Sequence, residues 1–181
     1  MTPTLETARL LLRPLELADA EQIQQVFPQW EVVRYLTNTV PWPYPPDGAL
    51  AFCRDHALPA VERGEQWIWT LRLKDDAERI IGLIHLMMSP LDNRGFWLDL
   101  RWHRRGLMTE ACESSPTTGS TRSSSPCSVR RRPSPTLHLD ASLRSRVCGW
   151  STEERDYVSG RLPAEIWEIT ADEWNARPLR S

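Results

Sequence analysis

The stretch QWIWTLRLKDDAERIIGLIHLMMSPLDNRGFWLDL, residues 66–100, contains three apolar segments separated by short polar turns. The first segment, 66–73, has strand character, and the second, 80–88, is a nearly continuous apolar run typical of a strand covered on both faces. The third segment, 96–100, follows a turn and predicts another strand. Strands joined by such short turns pair antiparallel, so this stretch predicts a meander at the centre of a sheet.

The segments before the meander predict one further strand and a set of helices. Residues 8–14 form the first strand, in which Leu10 and Leu12 share one face. Apolar residues at helical spacing then predict helices over 17–28 and 47–62, with a short helical piece between them.

A last strand is predicted at 163–174, where apolar and polar residues alternate. One strand, helices, three consecutive strands and a final strand define an α+β fold class, with a mostly antiparallel central sheet flanked by helices. The chain has 181 residues, the length of one domain, and we predict a single domain spanning 1–181.

The overall composition excludes several function classes. Its 22 basic and 24 acidic side chains give a net charge of -2, which does not fit a nucleic-acid polycation. No run of 18 apolar residues is present, so no transmembrane helix is predicted, and the N-terminus lacks the pattern of a secretory signal. The four cysteines show no metal-ligand spacing, so we predict no metal site and a reducing, cytoplasmic setting.

Residues 112–149 differ in composition from the rest of the chain. The stretch 114–136 holds eight serines, four threonines, four prolines and four arginines, and no aromatic residue occurs between Trp102 and Trp150. No helical or strand periodicity is detectable there. Such a composition is typical of disorder, or of an arginine–serine segment that binds RNA or a protein partner.

The stretch most informative about function is RWHRRGLMTEA, residues 101–111, which follows a predicted strand and then turns helical. Gly106 lets the backbone approach a ligand closely, and the free N–H groups at a helix N-terminus attract phosphate. Arg104 and Arg105 add positive charge. These features indicate a pyrophosphate cradle, with an ordinary solvated basic loop as the alternative.

Five stretches of the chain resemble the GNAT family of acyl-CoA-dependent N-acetyltransferases, in the branch of the ribosomal-protein-alanine acetyltransferases. They are LETARLLLRPLELADAE, IIGLIHL, NRGFWLDL, GLMTEA and RDYVSGRLPAEIWEITADEW, in that order. Together they cover residues 5–111 and about 150–175. The resemblance implies a GNAT-type fold and transfer of an acetyl group to a primary amine, on a protein N-terminus or a small molecule. The high tryptophan content invites an interface, so we predict a monomer or homodimer, and the composition predicts neither a membrane nor nucleic acid as partner.

The acetyl-CoA motif of that family, Gln/Arg-x-x-Gly-x-Gly/Ala, falls on residues 103–108. Gly106 is kept, and His103 replaces Gln/Arg. Arg104 stands where this branch commonly has glycine, and Met108 replaces Gly/Ala. The resemblance implies that acetyl-CoA is the co-substrate and that the residues binding it are Leu98, Leu100, His103, Arg104, Arg105, Gly106, Leu107, Met108 and Thr109.

In this family the amine attacks the thioester directly. The resemblance therefore implies that strand 96–100 holds the pantetheine arm and that one of its backbone N–H groups stabilises the oxyanion. A protonated amine needs a base, for which Asp99 and Glu110 are the candidates. The plainer interpretations are an exposed surface acid for Asp99 and an ordinary helix acid for Glu110. His85, inside an apolar strand, is interpreted as a packed core residue.

Three aromatic side chains form a predicted acceptor pocket. Trp42 and Tyr44 lie in the proline-rich loop 41–46, and Trp69 lies in the strand 66–73. We predict that the three rings floor the pocket for the amine, with plain core packing as the alternative.

A frame-shifted coding text would explain residues 112–149. In the family, GLMTEA is followed by the rest of a helix, a fifth strand and a further helix that bears a cofactor-contacting Asn. When each codon is built from the third base of one residue and the first two of the next, residues 113–124 admit VVTDYWFNEVL and residues 135–149 admit NTASRRISEKSGMR. Together these texts restore the missing aromatic residues and that Asn. We therefore hypothesise a frame-shifted segment or an error in the recorded sequence, which sequencing the coding DNA decides.

Two other functions stay open at this point. A frame-shifted acetyltransferase would be impaired or inactive, because a Ser/Arg stretch in place of a strand buries unpaired polar groups. Alternatively, the Ser/Arg segment binds RNA or a protein partner. Stabilisation by acetyl-CoA and salt-sensitive RNA binding discriminate among the three functions.

Overall fold

The computed structural model describes residues 2–88, 94–114, 127–131 and 149–169. Five strands form an amino-terminal sheet in the order β1–β2–β3–β4–β5, and every neighbouring pair is antiparallel. The strands are β1 (Leu5–Glu6), β2 (Leu10–Pro14), β3 (Gln66–Leu73), β4 (Asp76–Met87) and β5 (Arg94–Leu98). The predicted meander at the centre of an α+β fold is therefore confirmed.

Several strand boundaries differ from the prediction; β2, for example, begins at Leu10 rather than residue 8, and β5 begins at Arg94 rather than residue 96. β4 begins at Asp76 rather than residue 80, because polar residues carry no apolar signal yet still pair in the β3–β4 hairpin. β5 ends at Leu98 rather than residue 100, because Asp99 accepts a hydrogen bond from the Arg101 N–H and starts a 3-10 turn. Leu100 thus lies in this turn and not in the strand.

The helices cover one face of the sheet and part of the other. They are α1 (Ala20–Val26) after a 3-10 turn (Leu17–Asp19), α2 (Trp30–Val33), α3 (Gly48–Ala51), α4 (Leu58–Glu62) and α5 (Leu107–Ser114). A π-helical segment, Phe52–Ala57, joins α3 to α4, so the predicted helix over 47–62 is one continuous helical stretch. It ends before Gly64, whose φ of +72° suits glycine.

The sheet separates two hydrophobic cores, because successive residues of a strand point to opposite faces. On β3, Ile68 faces helices α1–α4, whereas Trp69 and Leu71 face α5. Leu10 and Leu12 are fully buried in the α5 core, as their shared face predicted. The other buried members of the α5 core are Ile81, Ile84, Leu86, Leu98, Leu107 and Ala111.

A buried ion pair lies on the face that carries α1–α4. The Arg72 Nη2 lies 2.6 Å from Asp19 Oδ1, and the two side chains are only 4% and 10% exposed. Arg72 also donates through Nη1 to the carbonyls of Ala77 and Glu78, at 3.1 and 2.9 Å. The pair therefore ties the 3-10 turn before α1 to the β3–β4 hairpin.

Three further strands form a second antiparallel sheet in the order β6–β8–β7. They are β6 (Cys127–Arg131), β7 (Gly149–Tyr157) and β8 (Gly160–Ile169). The last predicted strand, 163–174, is β8, which begins three residues earlier; residues 170–174 lie outside the described residues. The β7–β8 turn contacts the chain after α2, where the Val158 N–H donates to the Leu36 carbonyl at 3.0 Å.

The stretch 112–149 contains ordered structure at its described positions. α5 extends to Ser114, and β6 pairs along its whole length with β8. The sequence did not predict β6, because its residues do not alternate between apolar and polar. The strand forms through its pairing with β8. The remainder of the stretch, on which the frame-shift hypothesis rests, lies outside the described residues. Within the described part of the chain, no helix is long and apolar enough to cross a membrane.

Candidate functional site

Among the described residues, no strand pairs with the outer edge of β5, which presents backbone groups that point out of the sheet. The Asp99 N–H donates to the Ile81 carbonyl at 2.8 Å, which makes these two residues a hydrogen-bonded antiparallel pair. Hydrogen-bonded and non-hydrogen-bonded pairs alternate along an antiparallel ladder. Leu98 and Phe96, opposite Gly82 and Ile84, therefore direct their N–H and C=O groups away from β4. The sheet order ends at β5, so these groups line its outer edge.

The chain after β5 is closed into a tight loop by side-chain hydrogen bonds. Asp99 receives the Arg101 N–H at 3.2 Å and the Arg101 Nε at 2.8 Å. The His103 Nε2 lies 2.7 Å from the Leu98 carbonyl oxygen. Because a carbonyl oxygen only accepts, His103 donates through Nε2, and the bond folds the loop back onto the end of β5.

Two residues of this loop adopt left-handed backbone conformations. Arg104 has a φ of 60° and Gly106 a φ of 73°. Only glycine adopts this region without strain. This fits the glycine that the branch of the ribosomal-protein-alanine acetyltransferases commonly has at the position of Arg104. We call residues 103–106, together with the first turn of α5, the cradle.

The cradle is basic, exposed and anchored at its helical end. Arg104, Arg105 and Gly106 are exposed, whereas Leu107 is buried in the α5 core. The Arg105 guanidinium lies 4.7 Å over the ring of Trp102. The first N–H groups of α5 have no intrahelical acceptor, so positive charge and free donors coincide at one place, as anion binding requires.

The predicted cofactor-binding residues do not contribute alike. Leu107 is buried and Met108 packs partly against the α5 core, so both offer the site only backbone groups of the first helical turn. Thr109 lies half-buried in the same turn. Leu98 offers an N–H, and so does Phe96, which lies in the predicted strand 96–100 but is not among the predicted cofactor-binding residues. Every residue type has the same backbone N–H, so the sequence does not indicate which N–H groups point outward. The register of β5 against β4 shows it.

Arg9 and Glu110 form a cluster that joins the N-terminal turn to the cradle. Glu110 accepts from the Arg9 N–H at 2.8 Å, from Arg9 Nε at 2.7 Å and from the hydroxyl of Thr7. Arg9 Nη2 also lies 2.7 Å from Glu110, and Arg9 Nη1 donates to the Arg105 carbonyl at 2.9 Å. A single side chain thus holds both α5 and the peptide that precedes Gly106.

The two candidate bases are both occupied by hydrogen bonds within the protein. Burial alone raises the pKa of the Asp99 carboxyl, but the hydrogen bonds from Arg101 and Gln29 prevail and hold that pKa below its usual range. Burial likewise raises the pKa of Glu110, but donors from Thr7 and Arg9 prevail and lower it.

An ionised carboxylate with a lowered pKa is a poor proton acceptor at neutral pH. Asp99 is 1% exposed, so its interpretation as an exposed surface acid is wrong, and the structure gives it the role of closing the loop. Glu110 is the ordinary helix acid, here one that anchors α5. Both carboxylates accept from arginine side chains of the protein, Asp99 from Arg101 and Glu110 from Arg9.

The three predicted pocket aromatics do not lie on one side of the sheet. Trp69 is fully buried in the α5 core, and its indole N–H donates to the Pro3 carbonyl at 2.6 Å. Tyr44 packs against the opposite core, with its ring edge-on to Phe27 at 5.0 Å. The error follows from strand alternation, because Trp69 points to the face opposite its neighbour Ile68.

Trp42 and Tyr44 remain on the side of helices α1–α4. Trp42 is 42% exposed and its ring lies 5.3 Å from that of Trp30, so two indoles form an exposed aromatic pair. Burial, aided by Cys53, raises the pKa of Tyr44 to about 12, so its phenol stays protonated at neutral pH. The Tyr44 ring rests on Gly48, where a Cβ would come within 2.8 Å of it.

His85 lies on the same side of the sheet, opposite Gly95 of β5. A Cβ at Gly95 would overlap the imidazole, so the ring lies directly over this glycine. His85 is only partly buried, which modifies its interpretation as a packed core residue. Among the described residues, no group of three or more His, Cys, Asp or Glu side chains is arranged to hold a metal ion.

Comparison with known proteins assigns the class. The family model of the acetyltransferase (GNAT) domain matches residues 9–119, which include strands β2 to β5, the cradle and α5. The chain therefore belongs to the GNAT acetyltransferase family. No curated protein sequence matches the chain.

Solved structures share the fold at low sequence identity. RimL, the ribosomal L7/L12 α-N-protein acetyltransferase in complex with coenzyme A, superimposes with a TM-score of 0.69 at 12% identity, over 94% of this chain and 99% of that one. The ribosomal-protein-S5-alanine acetyltransferase from Vibrio fischeri gives 0.68 at 13% identity, over 97% and 100%. The microcin C7 self-immunity acetyltransferase MccE, in complex with acetyl-CoA and AMP, gives 0.64 at 12%, over 91% and 93%. These likenesses establish the fold.

Proposed function

We propose that this protein transfers the acetyl group of acetyl-CoA to a primary amine. The observation that carries the proposal is the cradle, in which exposed arginines, two left-handed residues and a helix N-terminus directly follow β5, the edge strand of the described sheet. Two of the structural neighbours bind acetyl-CoA or coenzyme A, which supports the same co-substrate here. In the proposal, Arg104, Arg105 and the N–H groups of Gly106 to Thr109 bind the pyrophosphate.

In the proposed reaction the amine nitrogen attacks the thioester carbonyl, and the oxyanion forms at the edge of β5. The outward N–H groups of Phe96 and Leu98 are the candidates to donate to that oxyanion. Collapse of the intermediate breaks the carbon–sulfur bond, and the thiolate takes up a proton. Because an α-amino group has a pKa of about 8 and lysine one of about 10.4, the amine must lose a proton before it attacks. The hydrogen bonds that Asp99 and Glu110 accept lower their pKa values, which argues against either carboxylate as the base in this proposal.

The proposed acceptor is a protein N-terminus or a small-molecule amine. The ribosomal-protein acetyltransferases among the neighbours support a protein N-terminus. We propose that Trp42, Tyr44 and the exposed indole of Trp30 line the acceptor side, since Trp42 and Trp30 form an exposed aromatic pair on the face of α1–α4 and Tyr44 lies beside Trp42 in the same loop. We further propose one domain over 1–181, no metal, a cytoplasmic setting and a monomer or homodimer.

The test is a transfer assay read by mass spectrometry. The protein is incubated with acetyl-CoA and a panel of peptides with free N-termini, the same peptides with blocked N-termini, and small amines. We expect a gain of one acetyl group on an acceptor with a free amine, with release of coenzyme A. Acceptors that stay unmodified throughout the panel, in the presence of a folded protein that shows no stabilisation by acetyl-CoA, would contradict the proposal.

A matched pair of charge reversals connects the assay to the cradle. Arg104→Glu/Arg105→Glu should raise the KM for acetyl-CoA at least tenfold, because two cations that face the diphosphate become anions. Arg54→Glu/Arg63→Glu changes the same net charge at exposed ion pairs far from the cradle in sequence, and should leave the KM unchanged. Equal effects of the two variants would show that net charge, not the cradle, binds the co-substrate.

The frame-shift hypothesis yields the alternative proposal, a catalytically impaired chain. The observation that favours it is the composition of 112–149, which departs from the family where a helix and a strand are expected. A protein that binds acetyl-CoA through the cradle but transfers nothing to any acceptor would support this alternative over the active enzyme.

A further inference from the structure

Arg9 lies outside the motif that binds the co-substrate in the proposed function, yet it contacts the cradle. It precedes β2, almost a hundred residues before the loop in sequence. Its guanidinium makes two separate sets of contacts. Nε and Nη2 bind Glu110 on α5, each at 2.7 Å, and Nη1 donates to the Arg105 carbonyl at 2.9 Å.

The contact with the Arg105 carbonyl fixes the orientation of one peptide group. In a trans peptide the C=O and the following N–H point in opposite directions. Because Arg9 holds the carbonyl of Arg105 on its own side, the N–H of Gly106 points away from Arg9. Gly106 tolerates this orientation because its φ of +73° is open to glycine.

The contact with Glu110 fixes the direction of the helix. Glu110 lies in the first turn of α5, and its backbone N–H donates to the Gly106 carbonyl at 3.0 Å. Arg9 therefore bonds to the loop before the helix and to the helix itself. Thr7 and the Arg9 N–H add two further donors to the Glu110 carboxylate, so the arrangement resists rotation about any single bond.

We propose that Arg9 is a positioning residue of the cradle, which orients the 105–106 peptide so that the Gly106 N–H meets the diphosphate of coenzyme A. The inference rests on the proposed function and adds to it a residue that binds no substrate. The guanidinium is committed to Glu110 and to the Arg105 carbonyl, so it acts through the loop and not as a direct ligand of phosphate.

The geometry of arginine, and not its charge alone, is required. Three nitrogen atoms of one planar group serve two partners on different elements. Lysine keeps the charge and can pair with Glu110, but its single ammonium cannot hold both partners in the same arrangement. Arg9→Lys thus distinguishes the effect of the peptide orientation from the effect of the positive charge.

The experiment measures binding of coenzyme A and of pantetheine, which lacks the diphosphate together with the 3′-phosphoadenosine attached to it, by calorimetric titration of the full chain. Arg9→Gln and Arg9→Lys should each weaken coenzyme A binding about tenfold, since hydrogen bonds to a charged group are lost. Neither should change pantetheine binding by more than about twofold, as expected when only the diphosphate site is disturbed. In turnover, the KM for acetyl-CoA should rise while kcat stays within about twofold.

The control is Arg54→Gln, which removes an arginine from an exposed bidentate pair with Asp55. It should bind both ligands as the wild type does. If Arg9→Lys binds coenzyme A like the wild type, charge suffices and the positioning role is overturned. If the Arg9 variants lose both ligands equally, the effect is a general loss of structure and the role is again overturned. If the wild type itself does not bind coenzyme A, the proposed function fails, and the role of Arg9 fails with it.

Discussion

Each face of the amino-terminal sheet carries an arginine–carboxylate cluster that joins separate segments of the chain. On the side of α1–α4, Arg72 and Asp19 are 4% and 10% exposed and pair at 2.6 Å. On the side of α5, Arg9 and Glu110 are 50% and 19% exposed and pair at 2.7 Å. The chemistry is the same, but the first cluster joins a turn to a hairpin inside the core, and the second joins two segments around a solvent-facing loop.

Because the two pairs differ in burial, we expect one to contribute mainly to stability and the other mainly to function. Removing one partner of a buried pair leaves a charge without solvent, whereas a half-exposed partner is rehydrated. The Arg72–Asp19 pair should therefore matter mainly for folding. The Arg9–Glu110 pair should matter mainly for the shape of the cradle, and the following predictions test this separation.

The largest expected effect is on the buried pair. Arg72→Met should lower the free energy of unfolding by about 3–5 kcal/mol, because Asp19 stays buried without its partner. Chemical denaturation measures the loss. The affinity of the folded fraction for coenzyme A should stay unchanged. A loss under about 1 kcal/mol, or a selective loss of affinity, would contradict the division between the clusters.

At the cradle, Glu110→Gln should lower the free energy of unfolding by about 1–3 kcal/mol. It should also change how that free energy depends on pH in the acid range. The folded-state pKa of Glu110 is lowered, so its contribution is present above the usual glutamate pKa and is lost as the pH falls through the folded value. The wild type should therefore lose stability more steeply below about pH 4.5 than the variant. Denaturation curves from pH 6 to pH 3 measure this, and parallel acid profiles would contradict it.

Two glycines with the same backbone angle provide a matched comparison. Gly106 has a φ of +73° and Gly64 one of +72°. A Cβ at Gly64 would meet nothing within 4 Å, and one at Gly106 would meet Arg9 Nη2 at 3.6 Å, an ordinary van der Waals contact. Gly106→Ala and Gly64→Ala should each cost about 1–2 kcal/mol of stability through left-handed strain. Only Gly106→Ala should also weaken coenzyme A binding, by severalfold or more. Equal affinity in both variants would place the diphosphate elsewhere.

The smallest effect is a gain in stability. Arg104 is the non-glycine residue with positive φ among the described residues, and Arg104→Gly should relieve its strain. We expect a net stabilisation of about 0.5–1 kcal/mol, because the relief of strain exceeds the conformational entropy that glycine adds to the unfolded chain. The lost cation should at the same time weaken coenzyme A binding slightly. A destabilised variant would show that the Arg104 side chain holds the loop.

Periodicity in the sequence was sufficient to predict the elements whose apolar residues repeat. The shared face of Leu10 and Leu12 and the apolar run of β4 specify buried strands directly. Trp69 shows the limit of this reasoning, because an aromatic residue alone does not indicate which face of a sheet it occupies. β6 shows another limit, since its pairing with β8 is a property of two segments.

The candidate site was predictable where it depends on local sequence. The arginines, Gly106 and the start of α5 are contiguous, so the amino-acid sequence alone indicates the cradle. The contact from Arg9 and the outward N–H of Phe96 depend on register and tertiary packing, which one segment does not encode. The same reason explains why Asp99 and Glu110 resembled free acids in sequence and are occupied in the structure.

The most direct test of the cradle is a titration of the wild-type protein with coenzyme A and with pantetheine under identical conditions. Binding of the diphosphate at residues 103–109 predicts that coenzyme A binds at least about tenfold more tightly than pantetheine, and that the difference shrinks as salt is raised. Equal affinity for the two ligands, or no binding of either, would contradict it.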